Sequence, residues 1–153
     1  MTIKLSTGLR TNLAGALGFG ATFNNGAIFV YSGPQPLSAD SPASGTLLGI
    51  VTTAGATWTA GSPANGLVFG TPVAGVVGKT TDSWKFTGLA AGTAGWFRLV
   101  GNPIDNGATS QTLPRMDGSV GAFGSADMAL TNLSVAVGSP NTIDVFQFSV
   151  PAQ

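Results

Sequence analysis

The sequence contains no cysteine, no histidine and no glutamate, and only 8% of its 153 residues are charged. Without cysteine the chain forms no disulfide bonds, and without cysteine or histidine it lacks the usual ligands for zinc and copper. The usual catalytic triads and thiol nucleophiles are excluded too, because they require histidine or cysteine. We therefore expect a protein that is not an enzyme and that binds neither a metal nor a cofactor.

The few charges are balanced and scattered. Six basic residues and six aspartates give a formal net charge of zero, whereas ordinary domains carry about 25% charged residues. Because there is no basic stripe to neutralise a phosphate backbone, we expect no nucleic-acid binding. We also expect no membrane span, since Gly, Thr, Asn and Pro interrupt every apolar stretch.

Apolar character is high, with 43% hydrophobic residues and a mean hydropathy of +0.33. Such a chain must cover its surface with Ser, Thr, Asn, Gly and Ala. A surface with so little charge is poorly protected against association. We therefore expect much of it to be covered by partners, in a homo-oligomer such as a dimer or trimer or in a larger assembly.

From residue 26 onward, short β-like runs alternate with clusters of Gly, Pro, Asn and Ser. The runs lie at 26–33, 46–53, 83–89, 94–101, 119–123, 127–138 and 142–150, with weaker ones at 56–59 and 66–69. Runs 83–89 and 94–101 are predicted to form a hairpin, and 102–118 a long polar loop. In the last run the alternation changes phase, which predicts a β-bulge near Val145–Phe146 or burial on both sides.

About eight strands at this spacing predict an all-β fold, a jelly-roll-like antiparallel β-sandwich spanning residues 25–153. Residues 1–24 are predicted to form an N-terminal helix or arm. Leucines at positions 5, 9, 13 and 17 form one apolar stripe over a predicted helix at 5–17, with Ser6 or Thr7 as its cap and Gly18 as its stop. The stripe either packs on its own domain or docks on a neighbouring subunit.

Residues that could carry chemistry have simpler structural interpretations. Lys79 and Lys85 lack the S-x-x-K spacing of a serine–lysine pair. The aspartates lie in or beside turn-like sequences, including Met-Asp-Gly at 116–118, where Asp usually bonds its own turn backbone. Asp105-Asn106-Gly107 lacks the spaced acids of a calcium loop and is predicted to be a turn.

The larger aromatic residues leave two alternatives open. Trp58, Trp84, Trp96 and Tyr31 could form a sugar-stacking platform, although aromatic residues that alternate with Phe and Leu more often belong to a core. Arg98 shares a strand face with Trp96, so it could be a stacked cation or an interface anchor.

Several stretches together resemble small virion proteins of tailed bacteriophages, in particular jelly-roll cement, or decoration, proteins on the capsid exterior. They are GLRTNLAGALGFGATFNNGAIFVYSGPQPLSAD (8–40), TLLGIVT (46–52), AGWFRLVG (94–101), MDGSVGAFGSADMAL (116–130) and FQFSVP (146–151). The resemblance runs along most of the chain, but its motifs are patterns of strands and turns rather than a catalytic signature.

This resemblance implies a structural protein of the virion, made in the bacterial cytoplasm, whose partners are the major capsid protein and other copies of itself. Its apolar N-terminal segment would then be a clasp that reaches a neighbouring subunit, and deleting residues 1–20 would leave a folded domain that no longer binds. The expected clasp residues are Leu5, Leu9, Leu13, Leu17, Phe19 and Phe23. The alternative is a tail or fibre component that binds a host glycan through its aromatic residues.

Overall fold

The computed structural model describes residues 3–150, within which there are eleven strands and two short helices, so the predicted all-β, sandwich-like fold is confirmed. The strands are β1 (Lys4–Leu5), β2 (Ala27–Ser32), β3 (Leu47–Thr53), β4 (Val76–Gly78), β5 (Trp84–Thr87), β6 (Gly92–Val100), β7 (Arg115–Gly121), β8 (Met128–Ala129), β9 (Ser134–Val135), β10 (Pro140–Ile143) and β11 (Gln147–Ser149). The helices are α1 (Thr7–Ala14) and α2 (Phe19–Phe23).

Seven strands form one antiparallel path in the order β1-β7-β6-β2-β3-β5-β10. Two short strands extend it, since β9 pairs with β6 and β8 with β7, while β4 and β11 form a separate two-stranded sheet. The path turns back on itself after β3, because only Thr52 and Thr53 of β3 pair with β5. A Cβ at Gly49 would stand 2.1 Å from the Phe86 ring, so β5 packs closely over β3.

The inner face of this folded sheet contains the core. Alternation along β2 turns Ile28 and Val30 inward, beside Leu99 and Phe97 of β6 in the antiparallel register. Trp84 and Phe86 of β5 belong to the same buried cluster, whereas Lys85 between them faces solvent. Each of these large apolar side chains contributes about 1.5–3 kcal/mol by leaving water, so this face supplies most of the driving force for folding.

The outer face of the same strands holds a buried ion pair. Arg98 of β6 donates from Nε to Asp117 Oδ1 and from Nη2 to Asp117 Oδ2, each at 2.7 Å. Both side chains are at most 2% exposed. Trp96 stacks on Tyr31 of β2 at 4.6 Å, and the Arg98 guanidinium lies 5.4 Å from the Trp96 ring. Arg98 is therefore a stacked cation.

Burial raises the pKa of the Asp117 carboxyl above its ordinary value, although the hydrogen bonds and positive charge of Arg98 oppose this shift. The upward direction shows that desolvation of the carboxylate outweighs the opposing effect of Arg98 on its pKa. A buried carboxylate in such a place depends on its partner, because the cost of removing it from water is offset only by good geometry and full hydrogen bonding.

A second buried pair fastens two long loops over the outer face. Arg115, at the start of β7, donates two hydrogen bonds of 2.6 Å to Asp105. The same guanidinium donates to the carbonyl oxygens of Ala39 and Ala108, one in each loop. These contacts hold residues 34–45 and 102–114 against the sheet, which is why the outer face is buried as well as the inner one.

The N-terminal segment packs into the same body as the strands. Ser6 caps α1 by accepting from Leu9 N at 3.1 Å, and its hydroxyl also accepts from Arg115 N and donates to Leu113 O. Strand β1 pairs with β7, and Leu9, Phe19 and Phe23 are core residues. The predicted division into an arm at 1–24 and a sandwich at 25–153 is therefore not a packing boundary, and deleting residues 1–20 would open the core.

Three local predictions were wrong. The predicted hairpin between 83–89 and 94–101 does not form, because β5 pairs with β3 and β10 while β6 pairs with β2, β7 and β9. The predicted loop at 102–118 ends at Pro114 and β7 begins at Arg115, so Asp117 lies in a strand rather than in a turn. The predicted helix at 5–17 is shorter in the structure, because Leu5 lies in β1 and α1 spans Thr7–Ala14 and ends at Gly15 rather than at Gly18. The second helix, α2, lies outside the predicted range.

The weaker predictions had mixed outcomes. Residues 56–59 form no strand, and 66–69 make only isolated bridges, at Leu67 and Phe69. Strand β4 was not predicted. The phase change in 142–150 corresponds to a break at 144–146, where β10, paired with β5, ends before β11, paired with β4.

The buried ion pair leads to a first prediction. We expect Arg98→Met or Asp117→Leu alone to lower the free energy of unfolding by about 3–5 kcal/mol, because each leaves an uncompensated buried charge. The double variant should lose less than the sum of the two, since both charges are then gone. Urea denaturation followed by tryptophan fluorescence measures all three. Lys85→Met, on exposed β5 surface, is the control and should change stability by less than about 0.5 kcal/mol. Additive losses would contradict the coupling.

The docking of α1 leads to a second prediction. A Cβ at Gly8 would stand 2.3 Å from the carbonyl oxygen of Thr112, whereas a Cβ at Gly20 in α2 would meet nothing closer than 3.6 Å. We expect Gly8→Ala to destabilise the protein by about 1–3 kcal/mol through overpacking. Gly20→Ala should be neutral or stabilising by up to about 1 kcal/mol, because Ala is the better helix former. Thermal melts compare the two, and equal stability would show that α1 does not pack tightly on residue 112.

Candidate functional site

An open apolar groove of about 860 Å³ lies between the N-terminal helices and the two-stranded sheet. One wall is formed by residues 18–21 with Leu13 and Asn24, and the other by residues of 68–77 with Phe148 and Val150. None of these described lining residues is charged, and Asn24 has the only polar side chain. A groove of this composition suits an apolar surface or chain segment rather than a charged ligand.

Stacked aromatic rings form the floor of the groove. Phe19 lies parallel to Phe148 with ring centroids 4.2 Å apart, and it meets Phe69 edge-on at 5.5 Å. Phe19 also contacts Phe23 at 4.9 Å, which ties the floor to the core. The groove is therefore a preformed feature of the packed domain, because its floor is built from rings that hold the two sheets and the helices together.

One side of the groove has a free strand edge. Lys79 N donates to Phe146 O, and Val150 N donates to Gly75 O, so alternate residues of β11 face β4. The main-chain groups of Gln147 and Ser149 therefore point away from β4. Within residues 3–150 no strand pairs with this outer edge. An unpaired edge offers hydrogen bonds to an extended chain that lies beside it.

The six residues predicted to bind a partner fall into three groups. Leu13 and Phe19 line the groove, and Leu17 nearby is 48% exposed. Leu9 and Phe23 are fully buried in the core, so they are not available to a partner. Leu5 is partly buried against the core in β1. The expected clasp is thus corrected, because the segment forms a wall of the groove rather than a free arm.

Sequence reasoning missed the opposite wall. Val68, Phe69, Val77, Phe148 and Val150 come from the weak run at 66–69, the unpredicted β4 and the last strand. The signal that could have found them is the stretch 70–78, whose small residues leave room that larger side chains would fill.

Residues considered for chemistry are engaged in structural roles. Lys79 donates to the carbonyl oxygens of Thr80 and Asp82. Asp105 accepts from Gly107 N in a turn, as predicted for that tripeptide, while its carboxylate is also bound by Arg115. Within residues 3–150 no three acidic, His or Cys side chains come together as a possible metal site.

The large aromatic residues do not share one exposed platform. Trp84 is in the inner core and Trp96 is fully buried on the outer face of the sheet, so neither can stack on a sugar. Trp58 and Tyr31 are partly exposed, and Trp58 donates to Asn25 O at 2.8 Å.

Comparison with models of known protein families gave no match, and comparison with curated proteins and with solved structures gave none either. Among residues 3–150, neither helix has the length and apolar character needed to cross a bilayer.

The groove leads to a third prediction. We expect the neutral dye Nile red to bind the purified protein with an increase in fluorescence, because the groove removes apolar surface from water. Val150→Asp should weaken binding about tenfold, since a dye bound there would desolvate a carboxylate. Val137→Asp is the matched control, because Val137 is equally exposed, at 70% against 64% for Val150, but lies outside the groove. Equal binding by both variants would place the dye elsewhere.

Proposed function

We propose that this protein is a structural component of a phage virion that binds the assembled capsid and stabilises it as a cement, or decoration, protein. The observation that carries the proposal is the uncharged apolar groove with a free strand edge beside it. Such a surface binds by shape and by main-chain hydrogen bonds, and it needs no reactive group. The resemblance of the sequence to small virion proteins supplies the kind of partner, the major capsid protein.

The exposed surface supports the same proposal. Several large apolar side chains protrude from loops and turns, with Leu37 95% exposed, Phe123 87% and Ile104 76%. Single exposed apolar residues are common, but here they occur on a surface with very few charges to oppose association. Such a surface is compatible with a protein whose exposed side chains are covered by neighbouring subunits, in a homo-oligomer and on a shell.

A cement protein stabilises a shell by mass action. Binding to assembled subunits but not to free ones shifts the equilibrium toward the shell, and many copies add their contributions. The groove fits this mechanism, because a segment of a neighbouring subunit would lie in it only after the subunits have been brought together.

The alternative is a tail or fibre component that binds a host glycan. It is less well supported, because two of the four aromatic residues that would have formed the sugar platform are buried.

The fourth prediction separates these functions. Immunogold negative-stain microscopy, with an antibody against this protein, is applied to virions from the phage source that carries the gene. We expect gold over the heads. Gold on the tails together with a hit on a glycan array would support the alternative and contradict the cement proposal. Virions without gold would contradict both.

A matched pair of variants tests the role of the groove. Shells from which the protein has been stripped are incubated with the purified protein and sedimented. We expect wild type and Val137→Asp to co-sediment, and Val150→Asp to remain in the supernatant. Co-sedimentation of Val150→Asp would show that the shell is bound by another surface, even if the gold lies over the heads.

A further inference from the structure

Strand β11 offers four main-chain groups to a partner. Phe146 O and Val150 N bond to the segment that contains β4, so the bonding groups of every second residue face that strand. The N–H and C=O groups of Gln147 and Ser149 therefore point outward, on a side where no strand pairs among residues 3–150. An antiparallel strand that lies along this edge can bond to all four groups.

The strands at the other sheet edges are protected against such pairing. Strands β1, β8 and β9 are two residues long, and β1 contains Lys4. Strand β10 begins at Pro140, which has no N–H to offer a further strand. Short strands, lysine and proline are means by which proteins keep an edge from pairing with another chain. The bonded stretch 146–150 is longer than the short strands and contains neither lysine nor proline, so it stays open to a partner.

The composition of this edge favours a second copy of the chain as the partner. In a two-fold dimer, residues near the axis lie beside their own copies or close neighbours, so a charge there would meet a like charge. Residues 145–150 contain no charged side chain. Val145 and Val150, at the two ends of the edge, are exposed apolar side chains whose contact with water the pairing reduces. The edge is thus complementary to itself.

The register of the pairing follows from the outward groups. An axis at Phe148 places Gln147 of each copy across from Ser149 of the other. Each of these two pairs exchanges two hydrogen bonds, so four bonds cross the axis. Phe148 then lies across from Phe148 of the second copy in the closer, non-hydrogen-bonded kind of pair. Because Phe148 lines the groove, the grooves of the two copies meet at the axis.

We propose that two copies of this protein pair through the outer edges of their β11 strands, antiparallel about a two-fold axis at Phe148, and form a four-stranded sheet in the order β4-β11-β11-β4. The inference rests on the proposed function in one respect, since it gives the strand edge to a second copy and leaves the joined grooves to the shell. The pairing itself needs no shell, so it is measured on the purified protein.

Sedimentation equilibrium of the full chain over a range of concentrations tests the pairing. We expect a 15.2 kDa monomer in equilibrium with its dimer, with a Kd on the order of 100 μM because so small an interface is weak. Ser149→Pro removes one outward N–H from each copy and keeps the bonds between β11 and β4, so the dimer affinity should fall more than tenfold.

Thr142→Pro is the matched control. Gly88 N donates to Ser139 O, so alternate residues of β10 face β5, and the main-chain groups of exposed Thr142 point outward on the free edge of β10. The same substitution at this second edge should leave the dimer affinity unchanged. Thermal melts followed by circular dichroism show that each variant is folded.

Paired cysteine variants test the register, since the natural chain contains no cysteine. Residue 147 of one copy and residue 149 of the other would have Cβ atoms about 5 Å apart, whereas neither residue lies across from its own copy. An equimolar mixture of Gln147→Cys and Ser149→Cys should therefore form a disulfide-linked dimer under mild oxidation, and each variant alone should form at least threefold less. Both side chains are exposed, so these variants decide the case even if Ser149→Pro does not fold.

A concentration-dependent dimer that is lost in Ser149→Pro and kept in Thr142→Pro supports the proposal, as does cross-linking confined to the mixture. A wild type that stays monomeric up to about 1 mM overturns it, as does a dimer that Ser149→Pro leaves unchanged or equal cross-linking by the mixture and the single variants. A monomer that still co-sediments with shells overturns this inference alone, whereas a dimer whose virions carry no gold over the heads overturns the proposed function alone.

Discussion

The ion pair between Arg98 and Asp117 is the interaction on which the arrangement of the outer face depends. Both residues lie in central strands, and their side chains point away from the apolar core. A charged pair there must either face water or be covered by groups that satisfy it. The structure takes the second course for most of the pair, since Asp117 binds the Nε and Nη2 groups of Arg98, Trp96 and Tyr31 stack beside it, and residues 105–107 lie next to Arg98. Arg98 Nη1 has no acceptor among residues 3–150. The sheet thus has an apolar side and a polar side, and both are buried.

The covering loops are held by the same chemistry. Arg115 reaches Asp105 in one loop and Ala39 O in the other, and Asp40 accepts from Thr7 N and Oγ1 at the start of α1. Three segments far apart in sequence therefore meet at the polar side of the sheet. Because α1 is fixed there and α2 is fixed by its phenylalanines in the core, the helical wall of the groove is held rigidly. The polar side of the sheet thereby determines the shape of an apolar surface elsewhere on the molecule.

Sequence patterns predicted the parts of the fold that depend on local sequence, namely short apolar or alternating runs bounded by turn residues. Strand β5 was found because apolar and polar residues alternate along it, and β2, β3 and β6 were found because short apolar runs lie between clusters of Gly, Pro, Asn and Ser. The Ser6 cap was among the predicted ones. Asp117 was missed because Asp followed by Gly is typical of a turn, whereas its role is set by Arg98, 19 residues earlier in the chain. The hairpin was wrong for the same reason, since a local turn signal carries no information on the strands that compete for β5. Half of the groove was missed because residues 66–69 and β4 have weak strand patterns, and they form a wall only when the phenylalanine rings of α2 and β11 pack against them.

The buried pairs also change how the low charge of the chain should be understood. Composition alone suggested twelve charges spread over the surface. Four of them, Arg98, Asp117, Arg115 and Asp105, are instead in the two buried or nearly buried ion pairs, so they contribute little to repulsion between molecules. The exposed surface thus has fewer charges than the sequence implies, while it keeps large apolar side chains at several loop tips and around the groove. Charge repulsion between molecules normally keeps their exposed apolar patches from associating. Because four of the charges are buried inside this fold, the remaining surface favours the proposal that this protein works in contact with other proteins.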